Sequence, residues 1–305
     1  MPSHARQEAS RWHMQERREF PMNIALIAHK STTQLRQQPT DSDNTPAQIA
    51  AMSPTDSLSN SLSKVPAITL GFWIIKILAT TLGEVGGDAV TMSMNLGYLI
   101  GTALFATVFA IAVFAQIRSP NFRPWVYWFA IIASTTVGTT LADYVDRSLG
   151  IGYTGGTTLL LALLLGTLFA WHRSTGSISV TQINSPRSEL FYWLTITFSQ
   201  TLGTALGDWA ADTQGLGYTG GIALFGGLLA VVAVLYFCSR ISRTPLFWAA
   251  FVLTRPLGAV VGDFLDKPMD HGGLALSRYA ATVVLLLAIV ACITLLPQRP
   301  AHHAH

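Results

Sequence analysis

The chain has 305 residues, of which 50% are hydrophobic and only 11% are charged. A soluble globular chain usually carries about 25% charged residues, so this composition argues against an ordinary soluble enzyme. A disordered or nucleic-acid-binding protein would need more charge still. The formal net charge of +3 says little by itself. Cys238 and Cys292 lie in separate apolar runs and form neither a CxxC motif nor a disulfide framework.

The segment 1–63 differs from the rest of the chain. It is polar apart from the stretch Met22–Ala28, which is too short for the core of a signal peptide. We expect residues 1–63 to form a disordered cytoplasmic tail. Translation from Met22 or Met52 is an alternative start.

Eight apolar runs follow the tail. The even-numbered runs are long enough for a helix to cross a bilayer, and the shorter odd-numbered runs reach that length if the helix continues to the acidic residue just beyond. The runs are Val65–Leu82, Leu96–Ile117, Pro124–Leu141, Tyr153–Trp171, Leu190–Leu206, Leu216–Cys238, Leu246–Val261 and Leu274–Leu296. A strand interpretation fails because the runs are long and do not alternate with period two. We predict an all-α integral membrane protein with eight transmembrane helices. The first partner expected for such a protein is the lipid bilayer.

Lys and Arg predict the orientation of the spans. Eight of these residues flank the spans on the side of the termini, against only Arg147 and Lys267 on the other side. Both termini are therefore expected in the cytoplasm. Residues 64–172 and 188–297 form two membrane halves, joined by a cytoplasmic linker at 173–187 and followed by a cytoplasmic tail at 298–305.

A repeat with the pattern W-x9-G-x4-D-x9-Y, in which Gly273 replaces the tyrosine of the fourth copy, divides the membrane region into four hairpins. Its tryptophans, glycines and aspartates are Trp73, Trp128, Trp193 and Trp248; Gly83, Gly138, Gly203 and Gly258; and Asp88, Asp143, Asp208 and Asp263. Each repeat has two spans, so successive repeats point the same way, as parallel repeats do. We interpret the tryptophans as interfacial anchors.

The repeated acids are the candidate site. They end helices that run outward, where the macrodipole disfavours negative charge, so each needs a Lys or Arg, a proton or a bound cation. The candidate residues for a cation or proton are Glu84, Asp88, Asp143, Asp208 and Asp263. Oxygen ligands suit hard cations such as Mg²⁺, Ca²⁺ or Mn²⁺. A purely structural role for these acids is the alternative, and the identity of any metal stays open.

Other polar residues support this candidate site. Thr81, Thr136 and Thr201 lie seven residues before an aspartate and share its helix face. Lys76 and Arg255 lie within spans, where they either pair with neighbouring helices or act as counter-ions that a transported cation displaces.

The repeat region resembles a bacterial family of multi-spanning "membrane-anchored" proteins that has no assigned activity. The resemblance rests on K-V-P-A-I-T-L-G-F-W, on T-L-G-E-V-G-G-D and on the two G-Y-T-G-G copies. It implies a protein of the bacterial inner membrane. The segment E-V-G-G-D is also similar to the E-x-G-D-[KR]-[ST] signature of cation exchangers, except that an extra glycine intervenes and Ala89 follows the aspartate.

These patterns leave three functions open. The first is a secondary transporter or exporter of a cation or proton that uses the aspartates. The second is a variant of the first, a cation channel with an acidic ring. The third is a membrane scaffold or envelope sensor that transports nothing. The sequence contains no P-loop, HExxH or G-x-S-x-G motif, so we predict no enzymatic activity and no cofactor. We expect no nucleic-acid partner, and a homo-oligomer stays open.

Overall fold

A computed structural model of the chain describes residues 63–183 and 185–301. The predicted tail at 1–63 therefore lies outside the described residues except for Ser63, as do the last four residues of the tail at 298–305.

Eight long helices make up the described part of the chain, as predicted. They are α1 Leu70–Asp88, α2 Gly97–Arg118, α3 Pro124–Asp143, α4 Gly152–Thr175, α5 Pro186–Asp208, α6 Gly217–Cys238, α7 Arg243–Asp266 and α8 Arg278–Leu295. Between residues 63 and 301, extended pairing is limited to one isolated bridge, from Pro66 to Pro300. The all-α fold class is confirmed.

Seven of the described helices are long and apolar enough to cross a membrane. The exception is α5, which has 23 residues but carries a polar stretch around Ser199, Gln200 and Thr201. These three side chains are almost completely buried, so they face other helices. The polarity of α5 therefore reflects the inside of the bundle.

The odd-numbered helices α1, α3, α5 and α7 form a closed inner ring, in which each contacts the next and α7 contacts α1. The repeated glycine of each inner helix lies against the residue three positions before the glycine of the next. These contacts are Gly83 with Thr135, Gly138 with Gln200, Gly203 with Arg255, and Gly258 with Thr80. The same contact recurs four times, so the ring has approximate four-fold symmetry. The repeated glycines allow the helix backbones to approach closely.

The even-numbered helices form an outer layer. Each packs mainly on the inner helix of the following repeat, so that α2 contacts α3, α4 contacts α5, α6 contacts α7, and α8 returns to α1. Their outward faces carry large exposed apolar side chains. Examples from the four helices are Phe114, Phe169, Phe237 and Leu295. This apolar exterior around a polar interior is what a bilayer requires.

Each of the first three inner helices ends in one π-helical turn directly after its aspartate. These turns are Ala89–Ser93, Tyr144–Ser148 and Trp209–Thr213. The connection to the outer helix then passes through Gly97, Gly152 or Gly217, each with a positive φ of 63–74°. This left-handed conformation explains why a glycine precedes the repeated tyrosine in those three repeats.

An aromatic layer closes the end of the ring at which the inner helices begin. Phe72, Tyr127, Tyr192 and Phe247 are equivalent by repeat and buried, and the two tyrosine hydroxyls are 2.6 Å apart. The repeated tryptophans pack around this layer. Trp128, Trp193 and Trp248 are at most 4% exposed. Our interpretation of the tryptophans as interfacial anchors is therefore wrong for these three, because they fill the space between helices.

The two ends of the described chain meet beside this aromatic layer. The backbone of residues 63–67 bonds to residues 299–301, and the hydroxyl of Ser63 donates to the carbonyl of Val180 at 2.8 Å. Residues 298–301, which we expected to be part of a tail, are thus held against the bundle. The linker at 173–187 includes the 3₁₀ turn Val180–Gln182.

We predict that Gly138→Ala destabilises the bundle. A Cβ atom there would lie 2.8 Å from the Cβ of Gln200 and 2.9 Å from its backbone carbon. Overpacking of this kind costs about 1–3 kcal/mol. The control is Gly166→Ala in α4, where a new Cβ meets nothing within 4 Å. Thermal unfolding in detergent should show a lower midpoint for Gly138→Ala alone, and equal midpoints would contradict the close helix contact.

We predict that the two ends of the bundle lie on opposite sides of the membrane. In a chain whose cysteines are replaced by serine, single cysteines at the exposed positions Met269 and Gln214 should react with an impermeant maleimide from outside. A cysteine at the exposed position Arg173 should react only after the membrane is permeabilised. The reverse labelling pattern would overturn the predicted orientation.

Candidate ion site

The four repeated aspartates lie together at the end of the ring where the inner helices finish. Asp88, Asp143, Asp208 and Asp263 are between 1% and 4% exposed. They are brought together because the four inner helices run in parallel and each carries its aspartate five residues after the contact glycine. We call this group the aspartate ring.

Two basic residues pair with the aspartate ring, and each contacts two of its members. The ammonium of Lys267 lies 2.5 Å from Asp88 and 3.2 Å from Asp263. The guanidinium of Arg147 lies 2.9 Å from Asp143 and 3.4 Å from Asp208. Of the partners that the sequence left open, the structure therefore provides Lys and Arg.

Lys267 stays charged in this position. Burial alone would lower the pKa of Lys267, but the carboxylates of Asp263 and Asp88 raise it above the ordinary value of a lysine. One ammonium between two carboxylates still leaves an excess of negative charge. The side chain is 14% exposed and follows the end of α7, so it is the accessible member of the group.

A carboxylate triad forms part of this region. Oxygen atoms of Asp88, Asp263 and Asp266 lie within 4.8 Å of one another, a spacing that could hold a metal ion. Arg278 contacts Asp266 and lies 3.8 Å from Asp88. A hard cation suits this set of oxygen ligands, but it would have to replace Lys267 or Arg278 as their positive partner.

Glu84 belongs to a second site, deeper in the ring. Its carboxylate pairs with the guanidinium of Arg255 at 3.0 Å, and Arg255 also donates to the hydroxyls of Thr139 and Thr204 at 2.5 Å each. Arg255 is 0% exposed. The sequence grouped Glu84 with Asp88, whereas the structure gives the two acids different basic partners. All four inner helices contribute to this central cluster, which we define as Glu84, Thr139, Thr204 and Arg255.

Lys76 lies in the bundle interior as well, and it too is 0% exposed. Its ammonium lies 3.4 Å from the hydroxyl of Thr254 on α7 and 4.1 Å from the centre of the Phe251 ring. The expectation that its partner comes from another helix is confirmed. Lys76 forms no ion pair with any carboxylate of the described residues, so its partners there are a hydroxyl and an aromatic face.

The three supporting threonines do not reach the aspartates. Thr81, Thr136 and Thr201 each donate to the carbonyl four residues earlier in their own helix. All three are buried, as expected for the inward face that they were predicted to share with the aspartates. Their hydroxyls, however, bond to the preceding turn of the helix, as threonine hydroxyls in helices can.

The predicted site residues included only one member, Arg255, of an inward-facing position that is polar in all four repeats. It lies three residues before each glycine and is occupied by Thr80, Thr135, Gln200 and Arg255, all 0% exposed. Neither amide atom of Gln200 bonds to another described residue, and the same holds for Nε and Nη1 of Arg255. The signal for this position in the sequence is that a polar residue recurs there in every copy of the repeat.

The fold and the site together define a helical repeat protein with the features of a membrane protein and a charged interior. The family model described as "Repeat of Unknown Function (DUF347)" matches residues 71–121, 126–177, 191–242 and 246–297. The chain therefore belongs to this family, and the four matches coincide with the four hairpins. No curated protein and no solved structure matches the chain.

We predict that Glu84→Gln destabilises the protein strongly. Removing one partner of a buried ion pair costs about 3–5 kcal/mol, because the other charge stays buried without compensation. The double variant Glu84→Gln with Arg255→Gln should recover part of this loss, since it removes both charges. Asp212→Asn, at an exposed residue, is the control. Unfolding in denaturant measures all four proteins, and a double variant no more stable than the single one would contradict the pairing.

Proposed function

We propose that this protein is a secondary transporter of a cation in the bacterial inner membrane, with both termini in the cytoplasm. The observation that carries the proposal is that buried charged groups follow one another along the axis of the closed ring of inner helices. The aspartate ring lies at one end, the central cluster and Lys76 lie further in, and the aromatic layer closes the far end. Ionisable groups buried within a membrane are costly and usually serve ions or protons.

The cation enters at the aspartate ring and competes with Lys267 or Arg147. The four ring carboxylates and Asp266 face three basic groups, Lys267, Arg147 and Arg278, so carboxylates outnumber basic groups at this end of the ring. When a cation binds, Lys267 moves away from Asp88 and Asp263 towards solvent, which its exposure permits. The protein thus carries its own counter-ion for the empty state.

The centre of the axis favours a transporter over an open channel. Arg255 crosses the axis to reach Glu84, Thr139 and Thr204. A fixed guanidinium repels a passing cation, and the aromatic layer closes the path beyond it. Passage therefore needs a rearrangement in which Arg255 or Glu84 changes partner. That requirement fits alternating access, in which only one side is open at a time.

Lys76 is the candidate for coupling. Its neighbours are a hydroxyl and an aromatic ring, so its charge depends on what else occupies the axis. A cation arriving near Glu84 would favour the neutral amine, and its departure would favour the ammonium. Proton release and uptake by Lys76 would then be linked to cation movement.

The alternative function is a scaffold that transports nothing. The specific observation in its favour is that the aspartates are already paired, so their charges already hold the helices together. Both functions need the same folded bundle, and they differ in whether ions cross it. Measurement of ion movement by the purified protein separates them.

The test measures flux into proteoliposomes that contain dyes for Mg²⁺, Ca²⁺, Mn²⁺, Na⁺, K⁺ and H⁺. We predict that the protein moves at least one of these ions, and that Asp88→Asn and Asp208→Asn each abolish the movement while folded protein remains in the membrane. Lys76→Met should change the pH dependence of the flux. Asp270→Asn is the matched control, because Asp270 is an acid near the same end with a 79% exposed side chain.

Two results would contradict the proposal. If the intact protein moves none of the six ions, the scaffold function is favoured. If both aspartate variants transport as well as the intact protein, the aspartate ring is not the ion site. Variants that fail to accumulate would show that the ring holds the helices together, and the flux of the milder variants Asp88→Glu and Asp208→Glu would then decide.

A further inference from the structure

One side of the bundle carries an apolar cavity that the repeat symmetry does not predict. It has a volume of about 590 Å³ and lies between α1, α6 and α7. Its lining includes Trp73, Ile77, Val232, Ala233, Phe247 and Thr254. We call this cavity the α6 groove. It opens to the outside of the bundle, on the surface that faces lipid if the helices span a membrane.

In the other three repeats, the space beside the repeated tryptophan is filled by other side chains of the protein. Trp193 is covered by Phe109 of α2, with ring centres 6.2 Å apart, and Trp248 by Trp171 of α4 at 5.8 Å. The indole of Trp128 donates to Gln298, in the segment after α8. Trp73 is the fourth equivalent residue and is only partly buried. The α6 groove is thus the one place of the four that is left open in the described chain.

A single residue position explains the difference between two of these places. Trp171 and Tyr236 are equivalent by repeat, because each follows the contact glycine of its own repeat by the same interval. Trp171 is 1% exposed, since its ring turns inward against Trp248. Tyr236 is 44% exposed, and its ring lies 4.1 Å from the guanidinium of Arg243. The tyrosine therefore lines an open groove, whereas the tryptophan at the equivalent position packs against Trp248.

The dimensions of the α6 groove fit one acyl chain. Along α7 it runs from Arg243 to Thr254, eleven residues, which is roughly 16 Å at 1.5 Å per residue. One leaflet of the hydrocarbon core is about 15 Å thick, half of the ~30 Å core. The groove therefore reaches from the membrane interface to the middle of the bilayer, as an acyl chain does.

The mouth of the groove carries a positive charge. Arg243 is exposed there and donates to the backbone carbonyl of Tyr236. A guanidinium has five N–H donors in a planar fork that matches a phosphate. The Lys and Arg bias predicts that this end of the bundle is cytoplasmic, and the cytoplasmic leaflet is the one that presents anionic headgroups to such a residue.

We propose that the α6 groove is a binding site for one anionic phospholipid. An acyl chain lies against Trp73 and Phe247, and the phosphate binds Arg243. At the inner end the chain meets Thr254, whose hydroxyl faces the ammonium of Lys76. The lipid thereby completes the wall that Trp171 provides beside Trp248. This site does not depend on whether the protein transports ions.

The experiment is native mass spectrometry of the delipidated full chain in detergent, with phosphatidylglycerol or phosphatidylcholine of identical acyl chains added. We expect a one-to-one complex that survives activation with phosphatidylglycerol and a weaker one with phosphatidylcholine. Ala233→Trp, which fills the groove, should remove the complex. Arg243→Gln should abolish the preference for phosphatidylglycerol. The thermal midpoint should rise with phosphatidylglycerol in the unaltered protein and not in Ala233→Trp.

The repeat provides matched controls. Arg123 occupies in the second repeat the place of Arg243, fifteen residues before the glycine, and Arg123→Gln should keep the preference. Ala115→Trp adds an indole to the exposed face of α2 and should keep the complex. If Arg123→Gln or Ala115→Trp weakens binding as much as its counterpart, the lipid is not specific to the groove. If lipid binds only after residues 1–62 are deleted, that segment is the occupant and the proposal is wrong.

Discussion

The close approach of the four inner helices is the constraint on which the rest of this structure depends. Each repeated glycine removes a side chain where one helix meets the next, so the neighbour's residue three positions before its own glycine lies directly against the helix backbone. That geometry turns one face of every inner helix toward a common axis. Polar side chains on this face lose their contact with water and must find partners within the ring.

The requirement for partners lowers the symmetry of the ring from four-fold to two-fold at the aspartates. The residue four positions after the aspartate is basic in the second and fourth repeats, as Arg147 and Lys267, and is Met92 and Asp212 in the first and third. Each basic residue therefore serves its own aspartate and one from a neighbouring repeat. The intervals between the contact glycines show the same two-fold pattern, because they are equal within each half of the membrane region and longer between the halves. Such a pattern is expected if a hairpin was doubled and the pair doubled again.

The sequence predicted the parts of this fold that depend on position along one helix. Helix number, the boundaries of the hairpins, their parallel direction and the grouping of Asp88, Asp143, Asp208 and Asp263 all follow from the repeat and from apolar length. It did not predict which helices are neighbours. The partners of Glu84 and Lys76 lie on α7, at the opposite end of the repeat region in sequence.

The sequence also did not predict the direction in which individual side chains point. Thr81 and Thr80 are adjacent, and both are buried threonines. Thr81 donates back to Ile77, while the hydroxyl of Thr80 also reaches the carbonyl of Thr254 across the ring. Which of the two hydroxyls reaches α7 depends on the angle at which α1 meets α7, and that angle is set by helix packing. The tryptophans were misread for the same reason, because an aromatic residue near a helix end fits either a lipid interface or a gap between helices.

The packing of each outer helix on the next repeat also limits how this architecture can evolve. In an open solenoid a repeat can be added or lost at either end, since every repeat contacts only its neighbours. Here α8 of the last repeat covers α1 of the first, so the array has no free end. A fifth hairpin would have to break that closure and widen the axis, and the Arg255 side chain could no longer reach Glu84, Thr139 and Thr204 together. The closed ring therefore accommodates four hairpins, whereas an open solenoid sets no such number.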